Sequence, residues 1–140
     1  MTPFNSTPVV WIAFDSASES ESLAKRIESF AEARVLEVSE RNVSAFLSTL
    51  GKHQTGWLLV DESMAADGAF QSLGRSATDS HEFFRCMVIG KLHDDKWPES
   101  SIFLAEDALS TTIIDRLRNE THVLRMMSSR MRHVRRLQNR

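Results

Sequence analysis

The most constraining feature of the sequence is a regular alternation between short apolar runs and amphipathic stretches. Five runs are apolar and about as long as single strands: 8–14, 34–38, 56–60, 85–89 and 101–104. The stretches between them repeat apolar residues at helical spacing, as Leu23, Ile27 and Phe30 do. Strands that alternate with helices predict βαβ units and a parallel sheet that is covered on both faces.

The length limits this pattern to one domain. The 140 residues are 41% hydrophobic and 26% charged, which suits a single ordinary core. We expect a disordered start at 1–7, a domain at 8–120 and a helical extension at 121–140. Five strands and about five helices predict the doubly wound, flavodoxin-like (CheY-like) arrangement. The fourth helix should be short or missing, because 90–100 is polar and contains Trp97-Pro98.

Several classes of protein are excluded by simpler features. No apolar run approaches the roughly 20 residues needed to cross a membrane, and the start of the chain does not resemble a signal peptide. The single cysteine, Cys86, excludes an internal disulfide, and its apolar neighbours predict a buried, inert thiol. These features favour a cytoplasmic protein.

Two carboxylates follow neighbouring strands of the predicted sheet. Asp15 comes after the first run and Asp61 after the third. Because functional groups of such sheets collect beyond the carboxyl ends of the strands, the two side chains should approach each other. Paired carboxylates suit Mg²⁺, which could neutralise a phosphoryl group. The simpler interpretation is that both are solvated loop residues.

The residues around Asp61 resemble the phosphoacceptor segment of response-regulator receiver domains. Residues 57–68 read WLLVDESMAADG: an apolar strand, an aspartate, a methionine three residues on (Met64) and a nearby Asp-Gly pair. The resemblance implies that Asp61 stands at the acceptor position. It also implies that Asp15 is the second member of the acidic pair that holds Mg²⁺; Phe14 replaces the first member.

Other positions depart from the receiver pattern. Gly90 stands where receivers have a Ser or Thr that hydrogen-bonds the phosphoryl group, and Glu106-Asp107 stands where they have a lysine. Acids in place of that cation disfavour a dianionic phosphoryl group. Lys91 is a candidate substitute cation. Phe103 matches the aromatic switch residue of receivers, although a core position is the simpler expectation. Asp61 is therefore expected to be a vestigial acceptor.

The segment after the fourth apolar run resembles one particular family of receiver-like domains. Residues 89–100 read IGKLHDDKWPES, which is similar to the N-terminal domain of FleQ and FlrA proteins, flagellar regulators that activate the sigma-54 form of RNA polymerase. Those domains are degenerate receivers. The resemblance implies a following ATPase domain, which binds ATP and in some members cyclic di-GMP, and a helix-turn-helix DNA-binding domain. Neither lies within these 140 residues, so no cofactor is expected here apart from a possible Mg²⁺.

The last segment predicts one long helix, because Ser110 to Gln138 contains no Gly or Pro. Its first part should pack on the sheet. Its second part should extend beyond the domain and present an imperfect heptad stripe. The stripe begins at Leu117, in the part that should pack on the sheet, and continues through Leu124, Met127, Met131 and Val134. A second copy of the helix is the simplest partner, which predicts a homodimer; a linker covered by the next domain is the alternative.

The charge distribution is uneven. Residues 116–140 contain eight arginines and one acid, a net charge of +7, whereas residues 1–115 carry −9. The arginines could form a solvated face or bind nucleic acid or an anionic surface, although the helix lacks aromatic residues for base stacking. We expect no direct nucleic-acid contact.

No enzyme signature is present. The five histidines have no common ligand spacing, and the sequence contains neither a nucleophile elbow nor a glycine-rich phosphate loop. The main prediction is therefore a non-enzymatic receiver-like domain of a sigma-54 activator that works by dimerisation and interdomain contacts. The alternatives are a phosphorylatable receiver that uses Asp61 and Mg²⁺ at Asp15, and a small flavodoxin-like enzyme that uses the carboxylates.

Overall fold

The fold is a five-stranded parallel sheet with helices on both faces. The computed structural model describes residues 7–51, 55–90, 95–105, 107–108 and 110–138. In this part of the chain the strands lie in the order β2-β1-β3-β4-β5, all parallel. The strands are β1 (Val9–Ala13), β2 (Glu32–Val35), β3 (Gly56–Asp61), β4 (Phe84–Ile89) and β5 (Ile102–Leu104). The predicted flavodoxin-like arrangement is confirmed.

The predicted second strand was placed too far along the chain. The sequence favoured 34–38, but β2 ends at Val35, and 38–40 forms a short 3-10 turn. The pairing with β1, in which Val9 lies opposite Glu32, fixes the position of the strand. Because β2 is an edge strand with exposed ends, it has less need of an apolar run, and its sequence signal is weak.

Five helices were found in the described residues: α1 (Ala17–Ile27), α2 (Val43–Leu50), α3 (Glu62–Ala65), α4 (Gly68–Ser80) and α5 (Ser110–Gln138). Local capping explains several of their ends. Asn42 accepts a hydrogen bond from the Ala45 N–H at the start of α2. Gly51 ends that helix at φ 42°, a backbone conformation that glycine adopts without strain.

The sheet separates two hydrophobic layers. On one face, Trp11 packs edge-on against Phe46 of α2, with ring centroids 5.4 Å apart, and α4 completes the layer. On the other face, α1 and α5 cover residues such as Ile12 and Met87. β1, β3 and β4 are buried almost throughout, which explains their nearly continuous apolar runs.

The side chain of Trp97 covers the first layer at the place where a helix between β4 and β5 would lie. Residues 95–101, between β4 and β5, contain no helix, and residues 91–94 lie outside the described part. The indole of Trp97 is nevertheless 3% exposed, and its Nε1–H donates to the Ala65 carbonyl at 3.2 Å. One buried aromatic ring thus partly replaces a helix.

The final helix is held against the domain for most of its length. Its buried or half-buried face comprises Ile113, Ile114, Leu117, Thr121, Leu124, Ser128 and Met131. Further along, Arg135 forms an ion pair with Glu82 at 2.8 Å. Leu124 and Met131, which lie in the predicted extension at 121–140, therefore pack against the domain. Within the described residues, no helix combines the length and the apolar character that a membrane crossing requires.

Candidate functional site

Asp61 lies at the junction between β3 and α3, where its carboxylate binds two backbone amides. Oδ1 accepts a hydrogen bond from the Met64 N–H at 3.0 Å, which caps the short helix α3. Oδ2 accepts from the Asp15 N–H at 2.8 Å, which ties the loop after β1 to the end of β3. The residue is half-buried. Each carboxylate oxygen therefore already has a structural partner.

The structure brings Asp15 next to Asp61, as the strand order predicts, but through its backbone. The Asp15 residue is exposed, and the short contact between the two residues is the amide hydrogen bond to Asp61 Oδ2. In the described residues, no group of three or more His, Cys, Asp or Glu side chains is placed to hold a metal ion. Mg²⁺ binding at Asp15 and Asp61 stays a prediction.

Glu62 fills the space that a side chain at position 90 would need. Gly90 is buried and has φ +147°, and a β-carbon built on it would lie 2.5 Å from Cβ of Glu62. A Ser or Thr at this position would therefore collide with Glu62 in a backbone conformation that such residues rarely adopt. The sequence showed that the hydroxyl group of receivers is missing at position 90. It gave no sign that Glu62 packs over Gly90.

A cavity of about 640 Å³ opens beside Asp61, between α1 and the start of α5. Its walls combine apolar side chains with three carboxyl groups and several hydroxyl groups. The lining residues are Phe14, Glu19, Ser22, Leu23, Asp61, Glu62, Ser63, Ile89, Ala108, Ser110 and Ile113. None of these residues is a Lys, Arg or His. Among the described residues, anionic groups would therefore meet like charges without a compensating cation.

Three further predictions concern the surroundings of this cavity. Lys91, the candidate substitute cation, and Glu106 lie outside the described residues, whereas Asp107 is exposed. Phe103 is 36% exposed on β5, so the expectation of a core position is wrong. The exposure follows from its place on the edge strand, on the face where the described residues between β4 and β5 form no helix.

Cys86 is fully buried, as its apolar neighbours predicted. Burial raises the pKa of its thiol to about 12, although the neighbouring hydroxyl groups of Thr78 and Ser101 and the charge of Arg85 oppose the rise. Because a thiol with this pKa holds its proton at neutral pH, it is a poor nucleophile. Cys86 is thus a core residue.

The predicted stripe on α5 divides between two faces of the helix. Leu117 is 0% and Leu124 5% exposed, and Met131 packs partly against the same core layer. Met127 and Val134 are 42% and 41% exposed on the solvent side. The residues of the predicted stripe therefore do not share one face: the domain covers Leu117 and Leu124, whereas Met127 and Val134 face solvent. Whether the exposed ones take part in a dimer is still a prediction.

Together these features define a flavodoxin-like α/β domain in which the Asp61 carboxylate caps the junction between β3 and α3. No protein-family model matches the chain, and no curated protein does. Among solved structures, it is similar to a protein assigned to pilus assembly (CpaE) from Burkholderia thailandensis, at 18% identity and a TM-score of 0.54, over 80% of this chain and 96% of that one.

A second similar structure is the lysine decarboxylase LdcF of Francisella novicida, at 15% identity and a TM-score of 0.53. The match covers 86% of this chain but 18% of the decarboxylase. At these identities the two similarities establish the fold alone.

Proposed function

We propose that this chain is a non-enzymatic, receiver-like regulatory domain that acts through protein contacts, with Asp61 as a structural cap. The observation that supports this proposal most strongly is the use of both Asp61 oxygens by the backbone amides of Asp15 and Met64. In this function the carboxylate holds two loops in place, and no phosphoryl group is needed to organise them.

The electrostatics around Asp61 support the same proposal. A phosphoryl group on Asp61 would add close to two negative charges. Glu19 and Glu62 line the same cavity, and in the described part of the chain no basic residue lines it. The place of the usual hydroxyl group is closed, because Glu62 packs over Gly90. Phosphorylation would therefore be unfavourable. The phosphoryl group would also lack the hydroxyl contact through which receivers pass a structural change to the rest of the domain.

Treatment with a phosphodonor tests this proposal. The protein is incubated with acetyl phosphate and Mg²⁺, and separately with beryllofluoride and Mg²⁺, and is followed by intact mass and by amide NMR spectra. A phosphorylatable receiver domain treated in parallel provides the positive control. We expect no adduct and no Mg²⁺-dependent shift near Asp61. An adduct that disappears in Asp61→Asn would contradict the proposal and support the phosphorylatable alternative.

The narrower proposal is that the domain regulates a sigma-54 activator of the FleQ and FlrA type. It is supported by the resemblance of 89–100 to those proteins, together with the long α5. The pilus-assembly neighbour offers a different assignment, but its 18% identity supports no choice of pathway. The gene sequence that follows Arg140 tests the narrower proposal. A P-loop ATPase domain there would support it, and any other domain would contradict it.

A further inference from the structure

A second apolar stripe runs along the solvent side of α5. It consists of Val123, Met126, Met127, Val134 and Leu137, which are 41–53% exposed. At 100° per residue, these five side chains fall within an arc of about 100° on the helix. Exposed apolar residues that share one helix face indicate a contact surface more strongly than scattered ones do.

The stripe contains a coiled-coil repeat. Val123, Met127, position 130, Val134 and Leu137 are separated by four, three, four and three residues, the spacing of alternate core positions in a heptad. We refer to these five positions as the seam. One turn earlier the same face becomes polar, because Arg116 and Glu120 form an ion pair there at 3.2 Å. The seam therefore covers about two heptads.

The opposite side of the helix keeps the seam in place. Leu124 and Ser128 are buried against the domain within the same turns, and Arg135 is paired with Glu82. The seam is thus a fixed ridge on a folded domain. Such a ridge can bind a helix without first ordering itself, which lowers the entropic cost of association.

Arg130 is the one seam position that is not apolar, and it determines which partner fits. A second copy of the helix would place two Arg130 side chains in the same layer or in adjacent layers of the interface. The +7 charge of residues 116–140 would add to that repulsion. A carboxylate on the partner would instead pair with the guanidinium and neutralise it.

We propose that the seam binds an amphipathic helix of a different protein, which places an acidic side chain opposite Arg130 and forms a heteromeric coiled coil. This inference rests on the proposed function, since a regulatory domain that acts by contact needs a partner surface. The charged core position sets the register and excludes the wrong partner at some cost in affinity. The positive field of the segment favours approach of an acidic helix.

Two synthetic peptides test the proposal. Each is an amphipathic helix about three heptads long, with leucine at every core position except the central one. That position is Glu in one peptide and Arg in the other, so that either helix orientation places it against Arg130. Binding is measured by fluorescence anisotropy of the labelled peptide. We expect the Glu-centred peptide to bind at least about tenfold more tightly.

The charge-reversal variant Arg130→Glu should invert this preference, so that the Arg-centred peptide binds more tightly. Arg125→Glu makes the same charge change at an exposed position off the seam, and it should leave the preference unchanged. Val134→Asp should abolish binding of both peptides. Circular dichroism checks that each variant is folded. A preference that Arg130→Glu does not invert would overturn the proposal.

Two other occupants are tested with the same variants. A homodimer in sedimentation that Val134→Asp dissociates would show that a second copy occupies the seam. Binding to phosphatidylglycerol vesicles, lost in the same variant and absent with phosphatidylcholine alone, would show a membrane occupant. Either result would overturn the proposal. Failure of the folded protein to bind the Glu-centred peptide also overturns it but leaves the proposed function intact, because that function is tested by the adduct at Asp61.

Discussion

The indole ring of Trp97 lies directly against Gly74 of α4. A β-carbon built on Gly74 would lie 2.6 Å from Cζ3 of Trp97 and 2.9 Å from Sγ of Cys86. Both distances are too short for real contacts, so the absence of a side chain at position 74 is what lets the ring reach the first core layer. Trp97 can occupy the place of a helix between β4 and β5 because α4 has this gap in its surface.

Gly74→Ala should therefore destabilise the protein by about 1–3 kcal/mol, although alanine is the better helix former. The ring or the helix must move to admit the new methyl group. Gly68→Ala provides a matched control in the same helix, because no atom lies within 4 Å of its β-carbon position. That variant should be unchanged or more stable by up to about 1 kcal/mol. Urea unfolding measures both values, and equal effects would contradict the close packing of Trp97.

Asp61→Ala should lower the free energy of unfolding by about 1–2 kcal/mol, because the Met64 and Asp15 amides lose their acceptor. Asp61→Asn should have a smaller effect, since its one side-chain oxygen can still accept from one of them. The comparison is Asp15→Ala, which removes an exposed carboxylate and should change stability by less than about 0.5 kcal/mol. If thermal or urea unfolding shows Asp15→Ala to be as harmful as Asp61→Ala, the capping role is wrong.

The raised pKa of Cys86 makes stability depend on pH in alkaline solution. The thiol titrates near its ordinary value of 9.0 in the unfolded chain and at about 12 in the folded one. Between these values the unfolded state binds fewer protons, so the free energy of unfolding falls as pH rises, by up to about 1.4 kcal/mol per pH unit. The contribution is complete below pH 9 and is lost as pH approaches 12.

Cys86→Ala should flatten this part of the pH profile. The sequence contains no tyrosine, so no phenol group titrates in the same range. Urea unfolding at a series of pH values measures the slope for each protein. In the wild type, Ellman's reagent should react with the thiol only as fast as the protein unfolds. Rapid reaction of the native protein at pH 8 would show that Cys86 is accessible.

The sequence predicted those parts of the fold that burial dictates. β1, β3 and β4 are covered on both faces, and such strands need continuous apolar runs, which are visible in a sequence. β2 was displaced because an edge strand needs fewer apolar residues. Trp97 was missed as a core residue because its neighbours are polar, and nothing local shows that Gly74, on another element, makes room for the ring.

The sequence predicted where the candidate site lies but not which groups bind the Asp61 carboxylate. The place of Asp61 after a buried strand follows from the residue pattern. The partners of its oxygens are backbone amides, which every residue has, so no pattern of side chains reveals them. On α5, heptad spacing is present on two faces, and periodicity alone cannot show which face the domain covers. Leu124 and Met127 were therefore assigned to one stripe although they point in different directions.

Substitutions on the two faces of α5 test which face packs against the domain and which faces solvent. Leu124→Ala should cost about 2–4 kcal/mol of unfolding free energy, because Leu124 is 5% exposed within the second core layer. Met127→Ala, three residues further along, should cost less than about 1 kcal/mol, because 42% of Met127 is already exposed. Urea unfolding at low protein concentration measures both.

A substitution in the ion pair at the end of α5 distinguishes the contribution of charge from that of apolar packing. The Arg135 and Glu82 side chains are 58% and 50% exposed, so Arg135→Ala should cost no more than about 1 kcal/mol, and less in high salt. If Arg135→Ala costs more than Leu124→Ala, charge rather than apolar contact holds α5 to the domain. If Met127→Ala is the most harmful, the helix is rotated from the orientation described, and the seam would face the core instead of a partner.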